Sequence, residues 1–196
     1  MTASTRPVSR RGWAAPAAGP YCTTVEHLMA DVRDASLPHD LEVVRQLWLD
    51  YLRWGNDELE ARHGFRLPVT EAIEHDVATM GKFQPPDGRL LLAFEGDVPI
   101  GTACMRRIGV ATCEIKRMWV GPPHRRGGIG RAMLDRLIGE ARTAGYTRMR
   151  LDSPEFMTSA HRLYRSSGFM DITPYPESEI PDEYKSYWVF MEKRLA

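Results

Sequence analysis

The sequence predicts an α/β fold in which helices flank a mixed β-sheet. Three apolar segments, 89–95, 98–107 and 113–120, follow one another with only short turns between them, which predicts an antiparallel meander. A helical pattern then separates the third strand from a fourth at 148–152. Because a strand, helix, strand unit is completed by a right-handed crossover between parallel neighbours, we expect the sheet to turn from antiparallel to parallel at its centre.

The composition is typical of an ordinary globular protein. The chain has 196 residues, of which 43% are hydrophobic and 27% charged, and this length favours one domain with a substantial core. Its 26 basic residues balance its 26 acidic residues. The overall charge therefore gives no reason to expect nucleic acid or an anionic membrane as a partner.

The chain carries no pattern typical of a membrane span, a disulfide framework or a metal site. Its longest unbroken apolar run, Leu90–Phe94, is far shorter than the roughly 20 residues of a spanning helix. The three cysteines form no CxxC pair, and the six histidines form no HExxH motif or tight cluster. We expect a cytoplasmic protein without a metal.

The N-terminal segment is predicted to be a flexible tail, residues 1–22, followed by one domain over residues 23–196. No acidic residue precedes Glu26, and the opening segment is rich in Ala, Pro, Ser and Thr. A targeting peptide is the alternative, but prolines and a glycine interrupt any apolar core. A short extended segment is expected near 27–34.

Two helices are predicted before the meander. After Pro38-His39-Asp40, apolar residues recur at helical spacing from Leu41 to Leu52, and a second helix is expected near Thr70–Thr79. The polar stretch between the two helices is predicted to be less regular. A turn cluster at 84–88 leads into the first strand of the meander, and Gly96-Asp97 joins its first two strands as a hairpin.

Two more helices alternate with strands in the second half of the chain. Apolar residues between Ile129 and Ala141 share one helical face, and Gly145 is placed to end that helix in a left-handed conformation. A shorter helix is expected to start at Ser153-Pro154. The last strands are predicted near 169–172 and 187–192.

A glycine-rich segment, His124 to Arg131, follows a predicted strand and opens a predicted helix. Glycine costs a helix about 1 kcal/mol relative to alanine, so glycines at a helix start suggest that a ligand approaches the backbone closely. Free amide N–H groups and the positive end of the helix dipole make such a terminus an anion site, and the arginines add charge suited to phosphates. The predicted ligand bears a pyrophosphate.

Neither of two common phosphate-binding motifs matches this segment. A Walker loop has Lys after its last glycine, where Arg131 stands, and a dinucleotide fingerprint has a small residue where Met133 stands. Taken alone, the segment is also compatible with a glycine-containing turn bearing solvated arginines.

With its surroundings, the segment resembles the GNAT family of N-acetyltransferases. Arg125-x-x-Gly128-x-Gly130 resembles the acyl-CoA pyrophosphate motif of that family, and Leu163-Tyr164 with Gly168-Phe169 resembles its C-terminal helix-to-strand motif. The strand at 113–120 precedes both in the expected order. The resemblance covers roughly residues 89–190 and implies the GNAT fold, in which the parallel central strands splay apart.

The resemblance implies a site for acetyl-CoA. Backbone groups of Met118 and Val120, at a bulge in the central strand, would bond the pantetheine arm as an added strand would. The residues that would bind the phosphates through amides and positive charge are Arg125, Arg126, Gly127, Gly128, Ile129, Gly130 and Arg131. Which arginine contacts which phosphate stays open.

The implied reaction is direct attack of an amine on the acetyl thioester, without an acyl-cysteine intermediate. Tyr164 matches the general acid of the family and would protonate the departing thiolate, the alternative being a core aromatic role. Glu114 matches the general base of the histone-acetylating branch, the alternative being a strand glutamate paired with Lys116 or Arg117. Backbone N–H near Met118 would stabilise the oxyanion.

The expected acceptor is a small-molecule or peptide amine of unknown identity. It would enter opposite the cofactor, beside the segment between Met170 and Lys185, which has five acidic residues and no basic residue. Two other functions stay open: a catalytically idle acyl-CoA-binding sensor, and a protein or aminoacyl-tRNA acetyltransferase. Neutral overall charge disfavours the tRNA case. A homodimer is compatible with the sequence.

Overall fold

The sheet has seven strands and is mixed, as predicted. The structure is a computed structural model that describes residues 30–195, so the predicted tail, residues 1–22, lies outside the described residues. The strands are β1 (Asp31–Asp34), β2 (Arg89–Glu95), β3 (Val98–Gly109), β4 (Thr112–Val120), β5 (Arg148–Pro154), β6 (Met170–Ile172) and β7 (Trp188–Arg194). Their order is β1-β2-β3-β4-β5-β7-β6. β4 and β5 run parallel, and the other described neighbours are antiparallel.

Helices cover both faces of the sheet. They are α1 (Leu41–His63), α2 (Val69–Ala78), α3 (Ile129–Thr143) and α4 (Thr158–Ser166). The predicted apolar face of α3 is confirmed, because Met133, Leu134 and Leu137 are fully buried against one side of the sheet. Val44 and Trp48 of α1 are fully buried on the other side. Within residues 30–195, no helix has the length and apolar character needed to cross a membrane.

Several element boundaries differ from the sequence prediction, those of α1, β5 and α4 among them. α1 continues through the polar stretch that was expected to be irregular and ends at Gly64, whose φ of 74° is left-handed. Buried Asn56 supports this second half, because its side chain exchanges hydrogen bonds of 2.8 and 2.9 Å with the backbone of Leu67. β5 extends to Pro154, and α4 begins only at Thr158, four residues after the predicted start signal.

A β-bulge and a gap between β4 and β5 shape the centre of the sheet. Thr102 and Cys104 on β3 are two positions apart, whereas their partners Trp119 and Lys116 are three positions apart, so β4 holds one extra residue. Arg117 in this bulge has a φ of 52°, which is unusual for a residue other than glycine. The parallel ladder ends after the pair of Ile115 with Leu151, although both strands continue. Beyond this pair the two strands are not hydrogen-bonded to each other.

A buried carboxylate of α2 holds the bulge in place through ion pairs. Asp76 of α2 is 2% exposed and accepts hydrogen bonds of 2.9 and 2.6 Å from the Arg117 guanidinium. Lys82 donates to the other oxygen of the same carboxylate at 2.6 Å. Burial opposes ionisation of Asp76, but the two cations outweigh it and lower the pKa of the carboxyl. The strained residue of β4 is therefore fixed by an acid from a separate element.

Candidate active site

A cavity of about 510 Å³ lies beside the end of β4, between the N-terminus of α3 and α4. Eight of the nine residues expected to bind the cofactor line this first cavity: Met118, Val120, Arg125, Arg126, Gly128, Ile129, Gly130 and Arg131. The ninth, Gly127, is adjacent in sequence but does not line it. Tyr164, expected to act on the thiolate, lines the cavity as well. The chain thus brings the predicted phosphate loop and the predicted acid together.

The N-terminus of α3 presents free amides to the first cavity. No side chain from residues 30–195 caps this terminus, and the first backbone bond of the helix is that of Ala132 N–H to the Gly128 carbonyl at 3.0 Å. The amides of the three preceding residues have no partner inside the helix. Gly128 has a φ of 81°, which favours glycine and lets the chain turn sharply into the helix. The arrangement is suited to an anion at this terminus.

The arginines of the loop have different environments. Arg125 donates through Nε to the Val120 carbonyl at 2.9 Å, and its guanidinium lies 4.8 Å from the centre of the Trp54 ring. Arg131 donates at 2.5 Å to the hydroxyls of both Ser166 and Ser167, which joins α3 to the end of α4. The Val120 carbonyl is therefore engaged by a side chain in this structure. That backbone groups of Met118 and Val120 bond the pantetheine arm stays a prediction.

Tyr164 lies at the meeting point of two cavities. The residue is 4% exposed and lines both the first cavity and a small one of about 40 Å³, here called the junction cavity. Its hydroxyl makes no hydrogen bond with any residue in 30–195, while its ring lies 5.9 Å from that of Phe169. Burial raises the pKa of the phenol well above its usual range. The hydroxyl thus keeps its proton and has a free donor.

A second cavity of about 250 Å³ lies between α1, α2 and the loop that joins β6 to β7. It shares Tyr51, Lys116, Arg117, Asp152 and Met157 with the junction cavity. The junction cavity in turn shares Met118, Met157 and Tyr164 with the first cavity. The three cavities therefore form a row through the gap between β4 and β5.

The second cavity contains charged side chains that sequence reasoning did not single out as site residues. Asp152 on β5 accepts a hydrogen bond from the Ser178 hydroxyl at 3.0 Å. Glu179 is one of the five acids noted in the sequence. It lies 3.3 Å from Lys116 and also pairs with Arg106. Burial opposes ionisation of Glu179, but these cations lower its pKa to about 2. The carboxylate is therefore ionised at any ordinary pH.

Glu114, the expected general base, lies outside the row of cavities. Its side chain is fully buried and lines none of the three. Arg106 donates to one of its oxygens at 2.7 Å, and the Tyr175 hydroxyl donates to the other at 2.6 Å. Neither Lys116 nor Arg117, the partners expected from the sequence, forms this contact. Burial raises the pKa of the carboxyl, but the geometry gives an acceptor amine no direct path to it.

The cysteines in the described range are unsuited to covalent catalysis. Cys104 and Cys113 are fully buried and line none of the three cavities. Burial raises the pKa of both thiols, that of Cys113 to about 12. Both remain thiols rather than nucleophilic thiolates at neutral pH. Residues 30–195 also hold no group of three His, Cys, Asp or Glu side chains placed to bind a metal ion.

Comparison with known proteins agrees with this architecture. Residues 42–169 match the model of the acetyltransferase (GNAT) family. An uncharacterized N-acetyltransferase of Schizosaccharomyces pombe is 30% identical over 74% of this chain and 86% of its own length. The protein named IAA acetyltransferase of Azospirillum brasilense is 34% identical over 71% of this chain and 87% of its own.

A solved structure supports the same fold. The PaiA N-acetyltransferase of Thermoplasma acidophilum, in complex with coenzyme A, superposes with a TM-score of 0.64 at 17% identity, over 84% of this chain and 98% of that one. At this identity the likeness establishes the fold, and the family match rests on the sequence comparisons. This chain belongs to the GNAT family of acetyltransferases and is an acyltransferase.

Proposed function

We propose that the protein transfers the acetyl group of acetyl-CoA to a primary amine by direct attack in a ternary complex. The observation that carries this proposal is the row of cavities through the gap between β4 and β5. One end has the free amides of α3, the other end has paired charges and apolar walls, and Tyr164 lies between them. The coenzyme A complex of the PaiA N-acetyltransferase supports acetyl-CoA as the donor.

The first cavity is the proposed site of acetyl-CoA. The amides of Ile129, Gly130 and Arg131 would hold the pyrophosphate, assisted by the positive end of the α3 dipole. Arg126 lines the cavity and makes no side-chain bond within residues 30–195, which makes it a suitable phosphate ligand. The pantetheine arm would pair with the free edge of β4, and the amide at Met118 would face the oxyanion.

The second cavity is the proposed site of the acceptor. Asp152 lines both this cavity and the junction cavity, so its carboxylate lies between the acceptor and Tyr164. It is better placed than Glu114 to receive the ammonium and guide its proton away. Tyr164 would then donate its proton to the thiolate of CoA. The buried cysteines support direct attack, because neither lines a cavity where an acyl group could reach it.

Thiol release from acetyl-CoA with a panel of primary amines tests the proposal. We expect turnover with at least one amine and intersecting initial-velocity lines, which indicate a ternary complex. Parallel lines would contradict direct attack. An enzyme that binds acetyl-CoA in calorimetry but never releases thiol would instead be a sensor. Activity confined to an aminoacyl-tRNA, with steep salt dependence, would favour that substrate.

Replacing Gly130 by valine is expected to weaken acetyl-CoA binding. An added Cβ would lie 3.4 Å from a Leu163 methyl group, and the larger side chain would extend into the first cavity. The Michaelis constant for acetyl-CoA should rise about tenfold or more, whereas the helix itself gains from losing a glycine. Gly139→Val on the same helix is the control, since no atom of the described part of the chain lies within 4 Å of its added Cβ. Equal Michaelis constants in the two variants would place the cofactor elsewhere.

Replacing Asp152 by asparagine is expected to lower the acceptor's kcat/KM about tenfold at neutral pH. The change removes the negative charge that would attract the ammonium while keeping the shape of the side chain. Asp171→Asn is the matched control, because Asp171 is exposed and its ion pair with Arg165 lies outside the cavities. Steady-state kinetics with the best amine of the panel gives the comparison. An unchanged value would exclude this role for Asp152.

A further inference from the structure

Lys116 carries an ammonium group that has two carboxylate neighbours but makes no hydrogen bond within residues 30–195. Its side chain is 8% exposed and lines both the second cavity and the junction cavity. Nζ lies 3.3 Å from Glu179 and 3.8 Å from Asp152, yet neither contact has hydrogen-bonding geometry. An ammonium has three donors. The two carboxylates attract it electrostatically without a hydrogen bond, so its donors are available to a ligand in the cavity.

The ammonium is charged despite its burial. Burial alone would lower the pKa of Lys116, but Asp152, Glu114 and Glu179 outweigh that effect and raise it. The neighbouring cation Arg117 is different, because its guanidinium is already bonded to Asp76. Lys116 is therefore the cation of the second cavity that is not committed to Asp76.

Asp152 supplies the complementary group. Its Oδ2 atom accepts the bond from Ser178 and lies 3.8 Å from Nζ of Lys116, whereas Oδ1 accepts no bond from residues 30–195. A free cationic donor and a free anionic acceptor thus lie side by side at the end of the cavity that leads to Tyr164. This pairing matches an ammonium and a carboxylate that are carried on one carbon atom.

The other end of the second cavity is apolar. The side chains that line it there include Leu52, Leu59, Leu67, Val69, Phe156 and Trp188. Asn56 also lines the cavity, but its amide is already bonded to the backbone of Leu67. A ligand group that reaches this end meets mainly hydrocarbon and aromatic surface, which favours an apolar side chain.

We propose that the acceptor is a free α-amino acid with an apolar or aromatic side chain, an inference that rests on the proposed function. Lys116 binds its carboxylate, Asp152 receives its α-ammonium, and its side chain enters the apolar end of the second cavity. In the reaction the α-amine, after losing a proton to solvent, attacks the acetyl carbon. The carbon–sulfur bond then breaks, the thiolate of CoA takes its proton from Tyr164, and the nitrogen loses its second proton, which returns Tyr164 to the phenol and leaves an N-acetylamino acid.

Matched pairs of substrates, assayed with the unaltered enzyme, test whether a carboxylate on the acceptor improves turnover. The pairs are L-phenylalanine with 2-phenylethylamine and L-leucine with 3-methylbutylamine. L-phenylalanine methyl ester adds the same skeleton with its carboxyl group uncharged. We expect kcat/KM to be about ten- to a hundredfold higher for the free acid of at least one pair, in line with a charged hydrogen bond. Mass spectrometry should find the acetyl group on the α-nitrogen.

The variant Lys116→Met tests whether Lys116 binds the carboxylate of the acceptor. We expect the Michaelis constant for the amino acid to rise at least about tenfold, so that the preference for the acid over the amine falls toward one. Lys185→Met is the matched control, because Lys185 pairs with Asp182 and lines none of the cavities. It should keep the preference of the wild type. Thermal unfolding of each variant with acetyl-CoA separates a binding defect from misfolding.

The outcomes separate the two proposals. Equal or better turnover of the amines or the ester would overturn the amino acid assignment while leaving the acetyltransferase function intact. A preference for peptides over free amino acids would overturn it as well and would indicate an N-terminal substrate. No thiol release with any amine, acid or peptide would overturn the proposed function and this inference together. If Lys116→Met does not fold, the comparison of substrate pairs with the wild-type enzyme still tests the amino acid assignment.

Discussion

Replacing Tyr164 by phenylalanine is expected to lower kcat about 10²- to 10⁴-fold, the range typical of losing a general acid. The hydroxyl bonds to no residue in the described range, so its removal leaves no partner unsatisfied and stability should barely change. The Michaelis constant for acetyl-CoA should stay close to that of the wild type, because the phenyl ring remains. Steady-state thiol release and thermal unfolding measure both effects.

Tyr146→Phe is the matched control for this change. The Tyr146 hydroxyl donates to the Asp87 carbonyl at 2.8 Å, away from the cavities, so its loss should affect stability rather than kcat. The raised pKa of Tyr164 adds an expectation for pH: the phenol stays protonated, so the wild-type rate should not fall between pH 8 and about 10 through loss of this proton. A kcat within twofold of the wild type would exclude the acid role of Tyr164.

Replacing Asp76 by alanine is expected to destabilise the fold by about 3–5 kcal/mol, the cost of leaving buried cations unpaired. Both Arg117 and Lys82 depend on this carboxylate, and they are only 13% and 20% exposed. For a chain of this size the melting temperature should fall by roughly 10 °C. Activity should fall as well, since the bulge that holds Arg117 borders two of the cavities.

Glu74→Ala on the same helix is the control for Asp76. Glu74 is exposed and pairs with Arg45 at the surface, so its removal should cost well under 1 kcal/mol. Acid should act like the Asp76 variant: because the folded pKa of Asp76 is lowered, its contribution is present above the ordinary pKa and is lost as the pH falls through the folded value. Equal melting temperatures for the two variants would mean that the ion pairs do not hold the bulge.

The parts of the fold that the sequence predicted have strong local signals. The strands of the meander alternate with short turns, and the apolar period of α3 is regular enough to identify its buried face. The phosphate loop is also local, since its glycines and arginines are adjacent in the chain. These features do not depend on which distant residues meet in space.

The parts that were missed depend on contacts across the fold. The second half of α1 has no regular apolar face, and its support by Asn56 comes from a bond to a later loop. Lys116 and Asp152 belong to separate strands and meet only because β4 and β5 separate beside them. Glu114 has the spacing expected of a base, but Tyr175, 61 positions later, closes the space around it.

The extra residue in β4 shifts by one position the alternation of side chains between the two faces of the sheet. Before it, Ile115 faces α3 while Lys116 faces α1; after it, Met118 faces α3 while Trp119 faces α1. Odd-numbered side chains of β4 therefore face α3 before the bulge and α1 after it. Removing Arg117 altogether would restore a uniform alternation with Met118 and Trp119 on their present sides, but it would abolish the bulge and its ion pair with Asp76. Homologous enzymes should therefore keep this extra residue even where other residues of the strand differ.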